Sequence, residues 1–479
     1  MKKNAFFQSI AVLLMLFWAG SFAQPDSSDV VNTSVPKIEN SDTLQPIAEQ
    51  ANTLNNLRIS GFGWMEFGQI MHGWYGNEEL DHRWQERFET RLDLCAPVSK
   101  DLEIDVGTEI WYQYSTTVAQ TNGPSYFPGI NVIIDRADLN YSPLKGSFPL
   151  SIQAGYFKFK YNPEARNLGE YLFRSGCYPT YVTNNFDFAM NRLLGLNVAG
   201  SILKDNDVFS MDYNLLVTSE TELYPYEDVS LAGLVAMNVW RKCFTLGLGL
   251  DGSRMFSVDE KNTTPHNNKS ISEITDVRPA IDQNGNPITV GDTSYYSFAG
   301  TKFMARATFD AKQFIPVNIF GEEDLKLYGE LAILGLKNYP VRDSSIRYDI
   351  LSERMPVMVG FNIPTFKFLD VLSFEWEYLN NRYYNSYYNE ILGNGTRLPL
   401  PYIQARGDQT GIDSSWVGNV KWSFYAKKSI GKNVQIVAQV ARDHRHAYVN
   451  MSDPRYGDYG DNLTTAKDWY YLIKVAYGF

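Results

Sequence analysis

Cysteine is scarce in this chain. Cys95, Cys177 and Cys243 are the three among 479 residues. Three thiols cannot staple so long a sequence, and no disulfide is expected. Histidine is almost as rare, with five residues: His72, His82, His266, His444 and His446. Basic residues are outnumbered 43 to 54, giving a net charge of −11 and no basic stripe, which argues against a nucleic-acid partner. No Gly-x-Ser-x-Gly elbow, His-Glu-x-x-His helix or phosphate-cradling Gly-rich loop occurs. The chain therefore reads as a non-enzyme with no cofactor and no metal. After the N-terminus no apolar run is long enough for a membrane-crossing helix, and the mean hydropathy is −0.29.

What the chain does have is aromatic residues: 31 Tyr, 28 Phe and 10 Trp. It also has a secretory leader. Lys2 and Lys3 precede an apolar stretch over 10–18, and Ala19-Gly20-Ser21-Phe22-Ala23 ends in small residues, so 1–23 reads as a signal peptide cleaved before Gln24. Its removal takes away two lysines and no acid, moving the charge to −13. Residues 24–55 are rich in Ser, Asp, Asn, Pro and Gln and read as a flexible periplasmic lead-in. This stretch is too short for a globular plug.

From 56 to 479 the pattern is one of strands. About sixteen segments of roughly ten residues recur, near 57–69, 87–96, 102–112, 133–141, 150–159, 193–202, 209–218, 230–240, 244–256, 297–309, 325–336, 355–362, 372–380, 416–426, 434–442 and 469–479. Connections alternate between short (97–101, 203–208, 241–243, 427–433) and long (113–130, 257–294, 381–414, 443–467). Side chains alternate across a strand. In the second segment Phe88, Thr90, Leu92 and Leu94 oppose Arg87, Glu89, Arg91 and Asp93. In the third, Ile104, Val106 and Ile110 oppose Glu103, Asp105 and Glu109. At the end of the chain Tyr471, Ile473, Val475, Tyr477 and Phe479 share one face. Apolar residues on one face and charged residues on the other fit a wall between lipid and water.

That closing strand resembles those of bacterial outer-membrane β-barrels, which end in an aromatic residue read by the barrel-assembly machinery. The pattern as a whole resembles a porin: an all-β, transmembrane antiparallel barrel with short periplasmic turns and long extracellular loops. Sixteen strands enclose a water-filled lumen, so Glu89, Arg91, Asp93, Glu103, Asp105, Glu109 and Arg136 are expected to line it. In general porins the loop after the fifth strand folds inward and narrows the pore. Here that position holds Gly155-Tyr156-Phe157-Lys158-Phe159-Lys160-Tyr161-Asn162-Pro163 and continues to about Asn191, rich in aromatics yet broken by Pro163, Gly169, Gly176 and Pro179. The resemblance marks Lys158, Lys160, Glu164, Arg166, Glu170 and Arg174 as constriction residues. Gly155 to Pro163 is also similar to a Gly-x-Phe-Lys-x-Pro segment of phosphate-selective-porin-like proteins, but Phe159-Lys160-Tyr161-Asn162 is inserted before the proline. Lys158 and Lys160 share parity with Ile152 and Tyr156, so either a bulge intervenes or these lysines stand above the membrane.

The resemblance implies passage of small hydrophilic solutes, contact with outer-membrane lipids of a Gram-negative bacterium, and a homotrimer. Two other classes stay open. One is a structural or adhesive barrel acting through its long loops, with Tyr383-Tyr384-Asn385-Ser386-Tyr387-Tyr388 as the best contact surface. The other is a barrel enzyme using an omptin-like Asp443-His444-Arg445-His446 site, against which the simpler reading is solvated loop residues. Export from a bacterial host should yield a chain beginning at Gln24, checked by N-terminal sequencing.

Overall fold

The structure is a computed structural model. It describes residues 57–478 apart from 76–77, 118–124, 127–128, 174–182, 185–188, 222–226, 257–270, 282–286, 297–299, 316, 337–350, 380–419, 445–462 and 464–465. Long strands dominate it: β1 (Arg58–His72), β2 (Arg83–Pro97), β3 (Leu102–Thr117), β4 (Gly129–Leu144), β5 (Leu150–Phe159), β6 (Ala189–Ile202), β7 (Phe209–Ser219) and β8 (Val229–Val239). The second half supplies β9 (Phe244–Phe256), β10 (Gly300–Asp310), β11 (Lys326–Ile333), β12 (Val357–Asn362), β13 (Val371–Tyr378), β14 (Val420–Ile430), β15 (Val434–Arg442) and β16 (Trp469–Gly478). Each pairs antiparallel with the next, and β1 pairs with β16 from Phe62↔Gly478 to His72↔Trp469. The result is a closed barrel of sixteen strands.

Alternation sets the two faces. On β16 Tyr470, Leu472, Lys474 and Ala476 are buried inside, while Ile473, Val475 and Tyr477 are exposed outside. On β3 Asp105 and Glu109 are buried, and Ile104, Val106 and Ile110 are exposed. The outside is the greasy face and the inside carries the charge, the reverse of a water-soluble sheet.

The rims differ. One rim has the short turns 98–101, 145–149, 203–208, 240–243 and 431–433 together with 311–325 and 363–370, and β1 starts and β16 ends there. Asp324 ties the two longer connections together. It accepts from Gly321 N at 2.8 Å and from Thr365 N, Thr365 Oγ1 and Phe366 N at 3.1 Å. The other rim carries the long connections. Residues 257–294 were expected as one polar loop, yet Ile271–Ile281 pairs with Pro287–Tyr296 as a hairpin. The sequence Asn284-Gly285 between them is a hairpin signal that length alone obscured.

Ile473→Arg should cost about 2–4 kcal/mol in a bilayer, as for a cation on a lipid-facing strand. Urea titration of the vesicle-folded barrel, followed by its heat-modifiable gel mobility, measures this. An unchanged midpoint would mean that this face does not meet lipid.

Candidate functional site

The interior is occupied by residues 160–173, which leave β5 and run across the barrel to the far wall. What draws them is a row of inward carboxylates on β11 and β13. Glu330 accepts from Tyr161 OH at 2.5 Å, Asn162 Nδ2 at 2.8 Å, Glu170 N at 3.0 Å and Tyr171 N at 2.9 Å. Glu375 accepts three consecutive backbone amides, Arg166 N at 2.5 Å and Asn167 N and Leu168 N at 2.9 Å, plus Tyr328 OH at 2.9 Å. Successive N–H groups converging on one anion form a nest. Glu377 accepts Tyr171 OH at 2.6 Å, and Asn167 Nδ2 reaches Asp443 at 2.5 Å. A segment broken by Pro163 and Gly169 cannot satisfy its own amides, so the wall does it instead. Burial, with the Glu330 and Glu170 carboxylates beside it, pushes the Tyr161 phenol well above its ordinary pKa, so it stays a donor.

Apolar side chains complete the dock. Phe157, Phe159, Leu168, Tyr171 and Leu172 pack with Leu216, Leu234, Met304, Tyr328 and Met358 from β7, β8, β10, β11 and β12. This cluster lies inside the barrel. The tip carries charges: Arg166 meets Glu323 at 2.8 Å, and Lys326 meets Glu323 at 2.8 Å and Glu164 at 3.4 Å. Burial works against the Glu323 charge, but Lys326 and Arg166 outweigh it and hold the carboxyl below its ordinary value.

A second set of charges lies on β2, β3 and β4. Here the strand register slips: Gly107 faces Arg136 and Thr108 faces Ile134, leaving Asp135 as a bulge. Asp135 is fully buried and meets Lys158 Nζ and Arg192 at 2.6 Å and Arg91 Nε at 3.0 Å. Arg192 also reaches Glu109 at 2.5 Å. Pairing of β4 with β5 stops at Ala137↔Tyr156, whereas β5 stays with β6 to Phe159↔Asn191. Beyond that point β5 and β6 turn inward. Their Lys158–Arg192 side then meets the inner charges of β3 and β4, and their Phe157 side packs on the inward segment. The parting of β5 from β4, with the bulged Asp135 beside it, thus accounts for the parity of Lys158.

The remaining expected residues fall as follows. Arg91 pairs with Asp93 at 2.8 Å, and Glu89 with Arg87. Arg136 pairs with Asp105 at 2.5 Å and with Asp138. Glu103 sits at the short-turn rim with Arg58, and Cys95 is a free thiol beside them. Lys160 donates to the Ala165 carbonyl, and buried Glu170 accepts from Asn162 N and Asn191 Nδ2. Arg174, Cys177, His446, 383–388 and Phe479 lie outside the described residues. His444 departs from the solvated reading: its side chain is enclosed and its Nε2 is 2.7 Å from Glu377. The wall acids Glu330, Glu375 and Glu377 were legible as inward residues by parity. That they would clamp the segment was not.

Among solved structures the chain is similar to a mutant of the Rh. blastica porin, with 8% identity over 88% of this chain and 100% of that one and a TM-score of 0.38. It is also similar to Pseudomonas putida OprB, with 11% identity over 90% and 96% and a TM-score of 0.43. No family model and no curated protein matches the sequence.

Glu330→Ala would strand four donors at once and should destabilise the docked segment by about 3–5 kcal/mol. Hydrogen exchange at the 170 and 171 amides reads this directly. Unchanged protection there would show that the carboxylate does not hold the segment.

Proposed function

We propose that this protein is a porin-like diffusion channel of a Gram-negative outer membrane, passing small hydrophilic solutes beside the inward segment. The carrying observation is the uneven crowding of a wide, charged lumen. Sixteen strands enclose more space than wall side chains fill. Residues 160–173 take up the β10–β13 side, where Glu375 and Glu377 are fully enclosed. On β2–β4 part of the charge keeps contact with solvent: Arg91 is 19% exposed, Asp93 29% and Arg136 28%, beside the buried acids Glu89, Asp105, Glu109, Asp135 and Asp138. Solutes would pass along this strip, with the Glu164, Arg166, Glu323 and Lys326 tip as a further charged surface. Nearly every charge there has a partner of opposite sign, so the field is local and ion selectivity should be weak. The leader over 1–23, the lead-in over 24–55 and the outward apolar face fit this location. Assembly into a homotrimer is part of the same reading.

A second reading is a barrel that acts through its long loops. The tight burial of inward side chains on β10–β14 favours it. Conductance in a planar bilayer separates the two. The channel reading expects steady steps with a reversal potential near zero in a salt gradient. Glu375→Ala, which frees three backbone amides of the segment, should enlarge the steps or make them noisy. A correctly folded barrel without steps, in both the wild type and Glu375→Ala, would reject the channel and favour the loops.

A further inference from the structure

Most buried cations in the described barrel have an acceptor. Lys158, Arg192 and Lys326 meet carboxylates, while Lys302 and Lys421 meet backbone carbonyls. Arg306 is different. It lies on the inward face of β10, between Met304 and Thr308, and is 9% exposed. No carboxylate or carbonyl lies within bonding distance of it among the described residues. Its cross-strand partner on β11 is Glu330, which would ordinarily form the ion pair. Glu330 is instead filled by the four donors of the inward segment. On the other side its partner is Gly247. A Cβ there would stand 2.6 Å from Arg306 Cγ and 2.7 Å from its Nε, so the guanidinium stem lies over the space the glycine leaves. The guanidinium nitrogens are not among the sealed polar atoms of the interior, so the lumen reaches them.

We propose that Arg306 is a binding residue for an oxyanion, the carboxylate or phosphate group of a small solute inside the lumen. A buried guanidinium without a partner is costly, and an oxyanion that presents two oxygens side by side matches its paired N–H groups best. The nearby acids do not preclude this, because the hydrogen bonds of the inward segment already engage Glu330, and Asn162 N and Asn191 Nδ2 engage Glu170. Towards the short-turn rim the flanking inward residues are the uncharged Thr308 and Thr245, and the Thr245 hydroxyl donates to Asn238 Oδ1 at 2.9 Å. The site rests on the reading of a solute-accessible lumen, but its test does not require conductance.

The test uses the full mature chain, folded in detergent micelles, with inorganic phosphate and acetate as probes. Binding is followed by 31P line broadening for phosphate and by calorimetry for both. Arg306→Gln should weaken binding at least tenfold, Gly247→Ala should weaken it by displacing the guanidinium, and Arg306→Lys should retain part of it. Arg241→Gln, on an exposed turn, should match the wild type. Because Arg306 makes no hydrogen bond or ion pair among the described residues, Arg306→Gln should keep the wild-type heat-modifiable mobility; a fall in stability as large as that of Glu330→Ala would mark a structural role and overturn the proposal. Wild-type affinity in Arg306→Gln, or no wild-type binding of either probe at 100-fold excess, would also overturn it. Phosphate alone or acetate alone losing affinity in Arg306→Gln would support the site and identify its anion. Binding that depends on Arg306 in a barrel without conductance would reject the channel and keep the site. Conductance with binding indifferent to Arg306 would do the opposite.

Discussion

Closure of the sheet is the constraint on which everything else rests. In a hydrocarbon surrounding, no water relieves an unpaired backbone group, so a strand must find partners on both sides. The pairing of β1 with β16 supplies the last of these and removes both edges. Once the ring is closed, strand alternation sorts the side chains. Ile104, Val106, Ile473 and Val475 go outward, and Asp105, Glu109 and Lys474 go inward. Charge then collects in a confined space, where each ionised group needs a partner of opposite sign or a set of donors.

The barrel meets that need in two ways. On β2–β4 it pairs charge with charge: Arg87 with Glu89, Arg91 with Asp93 and Asp135, Arg136 with Asp105 and Asp138. On β11 and β13 it pairs charge with backbone. Glu330 and Glu375 gather the amides of a segment that has no regular structure of its own. Both partners gain, since the carboxylates find donors inside the barrel and the segment keeps its hydrogen bonds. The apolar cluster around Tyr171 and Met304 then holds the segment against the wall. The break between β4 and β5 belongs to the same arrangement. A bulged Asp135 and the cations Lys158 and Arg192 close with ion pairs a stretch where the backbone ladder has parted.

Much of this was legible in the chain itself. Period-two alternation is a local property, so the sixteen strands and their inner and outer faces followed from residues a few positions apart. The aromatic content of 155–173 between breakers also marked a segment that packs on something. Its direction and its partners were not legible. Glu330 and Glu375 lie about 160 and 210 positions from the residues they hold, and no local period links them. His444 illustrates the same limit: beside two charged neighbours it reads as a solvated residue, and only the approach of β13 places Glu377 against it.

By itself the sequence determined the strand pattern, the greasy outer face, the charged inner face and the asymmetry of the connections. These depend on alternation and on turn residues, which act over a few positions. Only the tertiary structure decided which charges neutralise one another, where the wall bends inward, and that Glu330 serves the segment and leaves Arg306 without a hydrogen-bond or ion-pair partner among the described residues. Such choices are settled by competition among groups brought together from distant strands, and that competition exists only after the ring has closed.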